Sequence, residues 1–287
     1  MEGATGRQRL PRNVLESLSF PLPPLPEQQK IASVLSVVQE AKEKTENVIS
    51  ALKELRKSMM KNLFTYGPVP IEETERVPLK ETEIGMIPEH WEIKKVADLG
   101  KILTGNTPST NRKEYYGDKY QFISPADLGI TKYVYKSGKY LSDAGLQVSR
   151  PLPKDSVLVT CIGSTIGKTG MTVDEISTTN QQINSISCTE SFNRHFIYYY
   201  LTFIADRIKA MASTVAVPIL NKSNFEEIKV ISPSLPEQQQ IAESLSTIDD
   251  KLEAESKKIN SLDSLFKTLL SLLMTGKIRV KDLEIPL

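Results

Sequence analysis

One short passage occurs twice in this chain of 287 residues, far apart in the sequence. Residues 21–36 read PLPPLPEQQKIASVLS, and residues 232–246 read SPSLPEQQQIAESLS. Aligned on Leu25 and Leu235, the passages share Leu-Pro-Glu-Gln-Gln, then Ile-Ala, then Leu-Ser, at a constant offset of 210 residues. Fainter identity continues on both sides. Such a repeat predicts two copies of one structural unit within the chain.

Each copy predicts a long amphipathic helix after its proline-rich corner. Pro26 and Pro236 suit the first helical turn, and the glutamate after each proline suits the positive end of the helix dipole. Apolar residues then recur at spacings of three and four, and neither Pro nor Gly interrupts a helix of about 57 Å. So long and narrow a stripe predicts a coiled coil, the alternative being a helix that lies along its own domain. The expected pairing residues are Ile31, Val38, Val48, Leu52, Leu55, Met59, Ile241, Leu245, Ile248, Leu252, Ile259, Leu262, Phe266 and Leu269.

A segment of different character separates the two helices. A linker rich in proline and glutamate follows Gly67, and short β-branched and aromatic runs then extend from Trp91 to about Ile231. Because Gly, Pro, Asn and Asp punctuate these runs, we predict strands joined by turns, with one helical stretch, RHFIYYYLTFIADRIKAMA, near the end. The fold class is therefore predicted as α+β, with one globular mixed α/β domain flanked by two long helices. Residues 1–22 repeat the end of this globular segment without its body.

Composition and charge exclude few functions. The chain is 39% hydrophobic and 25% charged, with a mean hydropathy of −0.26 and two cysteines. It has no apolar run long enough for a membrane span and no signal-peptide pattern, so we expect no membrane and a cytoplasmic location with reduced thiols. The net charge of +1 neither supports nor excludes a nucleic-acid partner, because phosphate binding depends on clustered charge.

The corners and four further passages occur in a characteristic order. The passages are IPEHWEIKKVADLGKILTGNTPS, SVLVTCIGSTIGKTGM, TTNQQINSI and ILNKSNFEEIKVISPSLPEQQQIA. Together with the two LPEQ corners and their helices, this order resembles the specificity subunit of type I restriction–modification systems. The first passage resembles the start of a target recognition domain, the next two resemble its central strands, and the last resembles its end.

The resemblance implies a protein that recognises DNA and does no chemistry. Members carry two target recognition domains, each reading half of a split site in double-stranded DNA, and two long helices that pack as an antiparallel coiled coil. The helices space the domains and offer docking surfaces to methyltransferase subunits, which bind S-adenosylmethionine; restriction subunits are further expected partners. No cofactor, no metal and no catalytic residue is therefore expected in this chain.

This chain departs from the family pattern because it has both helices but one complete recognition domain. The resemblance then implies a half-subunit, two copies of which pair through the long helices as a homodimer and favour a palindromic site. The expected segments are 1–22 as the remnant of a preceding domain, 23–67 as the first long-helix region, 68–84 as a linker, 85–233 as the recognition domain, 234–280 as the second long-helix region and 281–287 as a tail.

Polar segments of the globular domain are the candidates for DNA contact. The stretch 104–116, TGNTPSTNRKEYY, offers hydroxyls and amides for base edges and a basic pair for phosphates, although a solvated loop is the alternative. In NQQ, Gln181 and Gln182 would face opposite sides of a strand, so at most one of them would read DNA. The candidates are Thr104, Asn106, Thr107, Ser109, Asn111, Arg112, Lys113, Ser164, Thr165, Lys168, Asn180, Gln181, Gln182, Asn221 and Lys222.

The passage GSTIGKTG, residues 163–170, raises the alternative of a nucleotide-binding P-loop. That motif needs four residues between its first glycine and the Gly-Lys pair, whereas three stand between Gly163 and Gly167. We expect instead a strand and loop with Lys168 as a phosphate contact. His90 and His195, the two histidines, have no second His or Cys at ligand spacing, which argues against a metal site. A further alternative is a coiled-coil assembly adaptor without sequence-specific DNA reading.

Overall fold

A computed structural model of the chain describes residues 11–17, 22–213 and 217–280. Most of the predicted remnant 1–22 and the predicted tail 281–287 lie outside the described residues. The chain divides into two compact units. A helical unit comprises Met1–Lys53 and Lys251–Leu287, and a globular unit comprises Glu54–Asp250.

Two long helices follow the two proline-rich corners, as the repeat predicts. α2 spans Leu25–Tyr66 and α7 spans Leu235–Met274, so each is about 60 Å long at 1.5 Å per residue. α2 ends at Gly67, whose φ of +84° suits the left-handed position that terminates many helices. Among the described residues, no helix is long and apolar enough to cross a membrane.

In the helical unit, α2 and α7 pack against each other in opposite directions. Lys42 of α2 forms an ion pair with Asp263 of α7. Glu27, near the start of α2, accepts two hydrogen bonds of 2.5 Å from Arg279, which follows the end of α7. Early residues of one helix therefore contact late residues of the other, and the predicted antiparallel arrangement is confirmed.

The inner face of α2 differs from the prediction at two positions. Val48 and Leu55 are 42% and 48% exposed, so the prediction that they face the partner helix within the chain is wrong. Polar residues take inner positions instead: Thr45 is 2% exposed and donates its hydroxyl to Ala41 O at 2.8 Å. Because a satisfied polar side chain can occupy an inner position, the spacing of apolar residues alone misplaced the seam. From Ile31 to Met60, the buried and half-buried residues of α2 are Ile31, Val34, Leu35, Val38, Ala41, Lys42, Thr45, Ile49, Leu52, Arg56, Met59 and Met60.

Every predicted pairing residue of α7 is buried or half-buried within the chain. Ile259, Leu262 and Phe266 are half-buried, as are the other predicted positions from Leu252 onward. Ile241 and Leu245 are fully buried in the core of the globular unit, which also contains residues from the end of α2. The end of α2 contributes Met60, Leu63 and Phe64 to that core.

The globular unit is built from short strands and short helices, as the punctuated sequence predicts. The strands are β1 Leu79–Thr82, β2 Gly85–Pro88, β3 Glu92–Lys95, β4 Gly100–Thr104, β5 Tyr116–Gly117, β6 Tyr120–Ile123, β7 Tyr133–Val134, β8 Tyr140–Leu141, β9 Leu152–Pro153, β10 Val157–Thr160, β11 Thr169–Thr172, β12 Ile176–Thr179, β13 Ile183–Cys188 and β14 Lys229–Ser232. The short helices are α3 Asp143–Gln147, α4 Arg194–Phe203, α5 Ala205–Ala210 and α6 Lys222–Glu226, and α1 Arg12–Glu16 belongs to the helical unit.

Two five-stranded sheets form the body of the globular unit. The central sheet has the order β4-β13-β10-β11-β7, and the second has the order β5-β8-β6-β12-β9. A buried apolar cluster draws Ile123 and Leu152 from the second sheet and Leu158 and Ile183 from the central one, which indicates that the sheets share a core. A larger core surrounds α4, where Trp91 and Tyr199 are fully buried.

The sequence repeat is also a structural repeat. α1 and α6 occupy equivalent positions 210 residues apart, and each carries an ion pair between its first and fifth residues. At the corners, Gln28 Nε2 donates to Pro23 O at 2.8 Å, and Gln238 Nε2 donates to Pro233 O at 3.0 Å. The second glutamine also accepts a hydrogen bond from the backbone N–H of Asn193 at 2.8 Å, which ties its corner to α4.

Candidate nucleic-acid interface

The central sheet brings most of the predicted DNA-contact segments to one of its ends. Thr104, the last residue of β4, pairs with Asn184 near the start of β13, and Thr160, the last residue of β10, pairs with Ile183. β11 begins beside the same end of β10. The segments that lead into or out of these strand ends are therefore neighbours. We call this surface the loop end; it comprises residues 105–109, 161–168 and 180–182.

A buried hydrogen-bond network lies directly beneath the loop end. Asn184, which is 2% exposed, accepts a hydrogen bond from Thr104 Oγ1 at 2.6 Å and donates one to Cys161 Sγ at 3.3 Å. Burial raises the pKa of the Cys161 thiol to about 12, so it stays protonated at neutral pH. The network joins three neighbouring strands, and it engages the hydroxyl of the predicted contact residue Thr104 within the fold.

The segments 104–109 and 180–182 cross at very close range. The N–H of Gly105 donates to Ile183 O at 3.1 Å, and the N–H of Asn106 donates to Thr179 O at 3.1 Å. A Cβ added at Gly105 would lie 2.3 Å from the carbonyl oxygens of Thr179 and Asn180, so only glycine fits there. The Thr107 hydroxyl and the Gln181 side chain, both exposed, also form a hydrogen bond.

Gln181 and Gln182 lie in a turn between β12 and β13, so the prediction that they sit in a strand is wrong. The reason is local: Asn180 Oδ1 accepts the backbone N–H of Gln182 at 3.1 Å, and Asn180 Nδ2 donates to Gln182 Oε1 at 2.9 Å. Asparagine favours such side-chain turns. The outward residue of the pair is Gln181, which is exposed, whereas Gln182 is half-buried.

The passage GSTIGKTG lies in the turn between β10 and β11, and its last two residues, Thr169 and Gly170, begin β11. Gly163 and Gly167 have φ of +95° and +91°, and Lys168 leads into strand β11. A P-loop would lead into a helix whose N-terminus faces the phosphates, so this geometry excludes that motif. Ser164 and Lys168 are exposed and Thr165 is half-buried. Lys168 therefore lies exposed at the loop end, and its contact with phosphate stays a prediction.

Asn221 and Lys222 lie near the loop end through two backbone hydrogen bonds. Gly163 N donates to Pro218 O at 2.9 Å, and Leu220 N donates to Cys161 O at 2.8 Å. Asn221 caps α6, since its Oδ1 accepts the N–H of Asn224 at 2.8 Å. Lys222 forms an ion pair of 3.3 Å with Glu226 within α6.

The remaining candidates continue outward from the loop end along the chain. Ser109, Asn111 and Lys113 are exposed. Arg112 is also exposed, and its guanidinium stands over the Tyr115 ring at 5.6 Å and donates to the Tyr115 hydroxyl at 3.2 Å. These residues form a polar surface continuous in sequence with residues 105–109.

One further segment, residues 148–150, lies beside the loop end and was not predicted from the sequence. Asn106 Nδ2 donates to Val148 O at 2.9 Å, and Arg150 donates from one terminal nitrogen to Thr104 O at 2.8 Å. No spacing in the sequence links residues so far apart.

Among the described residues, no group of three His, Cys, Asp or Glu side chains could hold a metal ion.

This chain is similar to specificity proteins of type I restriction systems, both in a family model and in individual relatives. The model of the type I restriction modification DNA specificity domain matches residues 2–54 and 88–264. The MjaVIII type I restriction enzyme specificity subunit of Methanocaldococcus jannaschii is 30% identical over 300 residues, which cover 98% of this chain and 67% of the relative.

Two further relatives differ in how much of them this chain covers. A protein of the same archaeon, described as the specificity subunit of the MjaX type I restriction enzyme, is 30% identical. The alignment covers 97% of this chain and 63% of that relative. The crystal structure of a type I restriction–modification S subunit from M. genitalium shares the fold, with a TM-score of 0.61 and 20% identity over 87% of this chain and 61% of that chain. The chain therefore spans about two thirds of these relatives. Because the family model covers well over half of its residues, the chain belongs to the family of type I restriction–modification DNA specificity proteins.

Proposed function

We propose that this chain is a DNA sequence-recognition subunit of a type I restriction–modification system. Its globular unit reads one half of a split site in double-stranded DNA, and its long helices dock adenine-methyltransferase subunits. The chain itself does no chemistry. S-adenosylmethionine is bound by the methyltransferase partner, which flips the target adenine out of the duplex. Restriction subunits are further partners, and the assembly works in the cytoplasm.

The observation that carries the proposal is the convergence of polar segments at the loop end. Hydroxyl and amide side chains, among them Thr107 and Gln181, stand exposed on loops that a five-stranded sheet holds in place. Amides and hydroxyls can contact base edges, and the exposed cations Lys113 and Lys168 can contact phosphates. With a net charge of +1, the chain alone should bind DNA weakly, so the partners must supply further contacts.

The helices support the assembly part of the proposal. α2 carries apolar residues on the side away from α7, since Val37, Val48 and Leu55 are 63%, 42% and 48% exposed. Exposed apolar residues that align along one helix face favour a protein partner. Two copies of the chain would supply two globular units to one complex, which is what a split site with two half-sites needs.

The alternative function is an assembly adaptor that does not read DNA. The paired helices fit an adaptor equally well, because a coiled coil can join partners without touching nucleic acid. What favours the DNA reader is the exposed polar surface of the loop end, which an adaptor would not need. The two functions therefore differ in whether sequence matters when the partners are present.

The deciding experiment maps modified adenines by single-molecule sequencing in cells that express this chain with the methyltransferase subunit of its own operon. The expected result is methylation at one split sequence, absent when this chain is omitted. A split palindromic site would support two copies per complex, whereas an asymmetric site would contradict the homodimer and keep the DNA role. If the two proteins associate but no sequence is methylated, the adaptor is favoured.

A further inference from the structure

Arg150 stands at the loop end although nothing in its sequence context marks it as a contact residue. It follows α3 and precedes the short strand β9, and its side chain is exposed. Its guanidinium donates to Thr104 O at 2.8 Å. That carbonyl belongs to the last residue of β4, immediately before the crossing of residues 104–109 with residues 180–182.

The Arg150 segment is fixed to the loop end at two points. Besides the guanidinium contact, Asn106 Nδ2 donates to Val148 O at 2.9 Å, two residues before the arginine. Pro151 follows and restricts the backbone of Arg150 to extended conformations. The arginine is therefore held in place by its neighbours, and less rotamer entropy is lost when it binds a partner.

Three other arginines of the globular unit contact acidic or aromatic side chains. Arg56 and Arg194 form ion pairs with Asp249 and Asp155, at 2.7 and 3.2 Å. Arg112 stands over Tyr115. Arg150 contacts a backbone carbonyl at the loop end, which leaves its positive charge without compensation from that partner. Arg207 also donates to a backbone carbonyl, that of Lys229, but Arg207 is half-buried whereas Arg150 is exposed.

We propose that Arg150 is a specificity-determining residue that reads a guanine in the major groove. The inference rests on the proposed function and assigns one base contact within it. A guanidinium has five N–H donors in a planar fork, and the contact with Thr104 O uses one of them. The remaining donors suit the O6 and N7 acceptors of guanine, the commonest specific contact of arginine with DNA. Thr104 O orients the plane of the fork, and Gln181 and Thr107 lie on neighbouring segments to contact adjacent bases.

Lysine at this position would not serve the same purpose. An ammonium group is a single point charge on a flexible stem, so it distinguishes bases less well than a fork that engages two acceptors at once. A phosphate contact, in contrast, needs charge more than shape. Replacing Arg150 by lysine therefore separates the two roles, because it preserves charge and removes the fork.

The experiment compares methylated sequences in cells that express the methyltransferase subunit with the wild-type chain, Arg150→Lys, Arg150→Ala or Lys113→Ala, at limiting expression. The wild-type site should contain a guanine at a position where both Arg150 variants accept other bases. The preference for guanine should fall roughly 5- to 100-fold, while the rest of the site is unchanged. Lys113→Ala, which removes an exposed cation of the same surface, should lower methylation at every site and keep the sequence.

Three outcomes would overturn the assignment. If both Arg150 variants keep the wild-type sequence at a lower level of methylation, Arg150 contacts phosphate. If they keep both sequence and level, it contacts no DNA. If they abolish methylation and their thermal unfolding midpoints fall, Arg150 serves the fold. Absence of any methylated sequence with the wild-type chain would instead defeat the proposed function, and the Arg150 assignment with it.

Discussion

The indole N–H of Trp91 donates a hydrogen bond to Glu237 Oε1 at 3.0 Å. Trp91 is fully buried immediately before β3, and Glu237 belongs to the second LPEQ corner, in the first turn of α7. The same carboxylate accepts from His90 Nε2 at 2.9 Å and from Ser234 Oγ at 2.7 Å. The repeated glutamate therefore joins the start of the globular domain to its exit helix. The first-copy glutamate, Glu27, meets Arg279 instead.

Replacing Glu237 with glutamine should destabilise the globular unit. Glutamine keeps the size but replaces one carboxylate oxygen with a donor. Either Trp91 and His90, which share Oε1, or the N–H and hydroxyl of Ser234, which share Oε2, then lose their acceptor. We expect Glu237→Gln to lower the free energy of unfolding by about 1–3 kcal/mol, measured by urea denaturation. Glu243→Gln, on an exposed position of the same helix, should change it by less than about 0.5 kcal/mol. Equal effects of the two variants would contradict the role of the contact.

Acid should weaken the same contact. Burial raises the pKa of Glu237, but hydrogen bonds from Trp91, Ser234 and His90 outweigh it, so the pKa lies below its ordinary value. A carboxyl group with a lowered pKa stabilises the fold above its ordinary pKa, and this stabilisation is lost as pH falls through the lowered value. The difference in unfolding free energy between wild type and Glu237→Gln should therefore shrink below about pH 4.

The general architecture could be predicted from the sequence, whereas the details of the site could not. The repeated corners and the uninterrupted spacing of Ile241, Leu245 and Ile248 predicted α7 because local periodicity determines such a helix. Val48 and Leu55 were misplaced because Thr45 and Arg56 take inner positions through hydrogen bonds and ion pairs that spacing does not reveal.

At the loop end, too, residue type and spacing in the sequence could not predict the side-chain contacts. The polar segments were recognised by residue type, but the turn at Gln181 depends on the side chain of Asn180. The place of Arg150 depends on a contact with Thr104, 46 residues earlier, which only the folded sheet brings about. Contacts between distant segments carry no local signature, so no periodicity could have identified this arginine.

Gly105 should not tolerate a side chain. Its added Cβ would lie 2.3 Å from Thr179 O and Asn180 O, and both atoms belong to the backbone that the loop end must keep in place. We expect Gly105→Ala to cost about 1–3 kcal/mol of unfolding free energy and to reduce sequence-specific methylation. Gly138→Ala is the control, because its Cβ would meet Asp127 Oδ1 at an ordinary 3.7 Å. Equal stability of both variants would show that the loop end can rearrange.

Asn184 and Thr104 should be energetically coupled. Their hydrogen bond of 2.6 Å joins β13 to the end of β4 beneath the loop end, and Asn184 is buried. Asn184→Ala leaves the Thr104 hydroxyl without this acceptor and should cost about 1–3 kcal/mol. Thr104→Val removes the hydroxyl itself. In a double-mutant cycle the two changes should show a coupling of at least about 0.5 kcal/mol, and additive effects would mean that the contact contributes nothing to stability.

His195 should make the globular unit sensitive to mild acid. Burial, with Lys132 and Arg194 nearby, lowers the pKa of His195 to about 4 despite the opposing charge of Asp155, and its Nδ1 is buried without a hydrogen-bond partner. The unfolded chain protonates this histidine near pH 6.5, so between about pH 6.5 and 4 it binds more protons than the folded chain. Stability must then fall as pH falls through this window.

The variant His195→Phe keeps a ring beside Tyr133, whose centroid lies 6.2 Å from that of His195, but it cannot titrate. The melting temperature of the wild-type chain should therefore drop more between pH 7 and pH 5 than that of the variant, measured by thermal denaturation under matched salt. The other titratable groups are the same in both proteins, so the difference between the two drops reports the histidine together with its coupling to Asp155. Identical drops would show that His195 is protonated in the folded chain as readily as in the unfolded one.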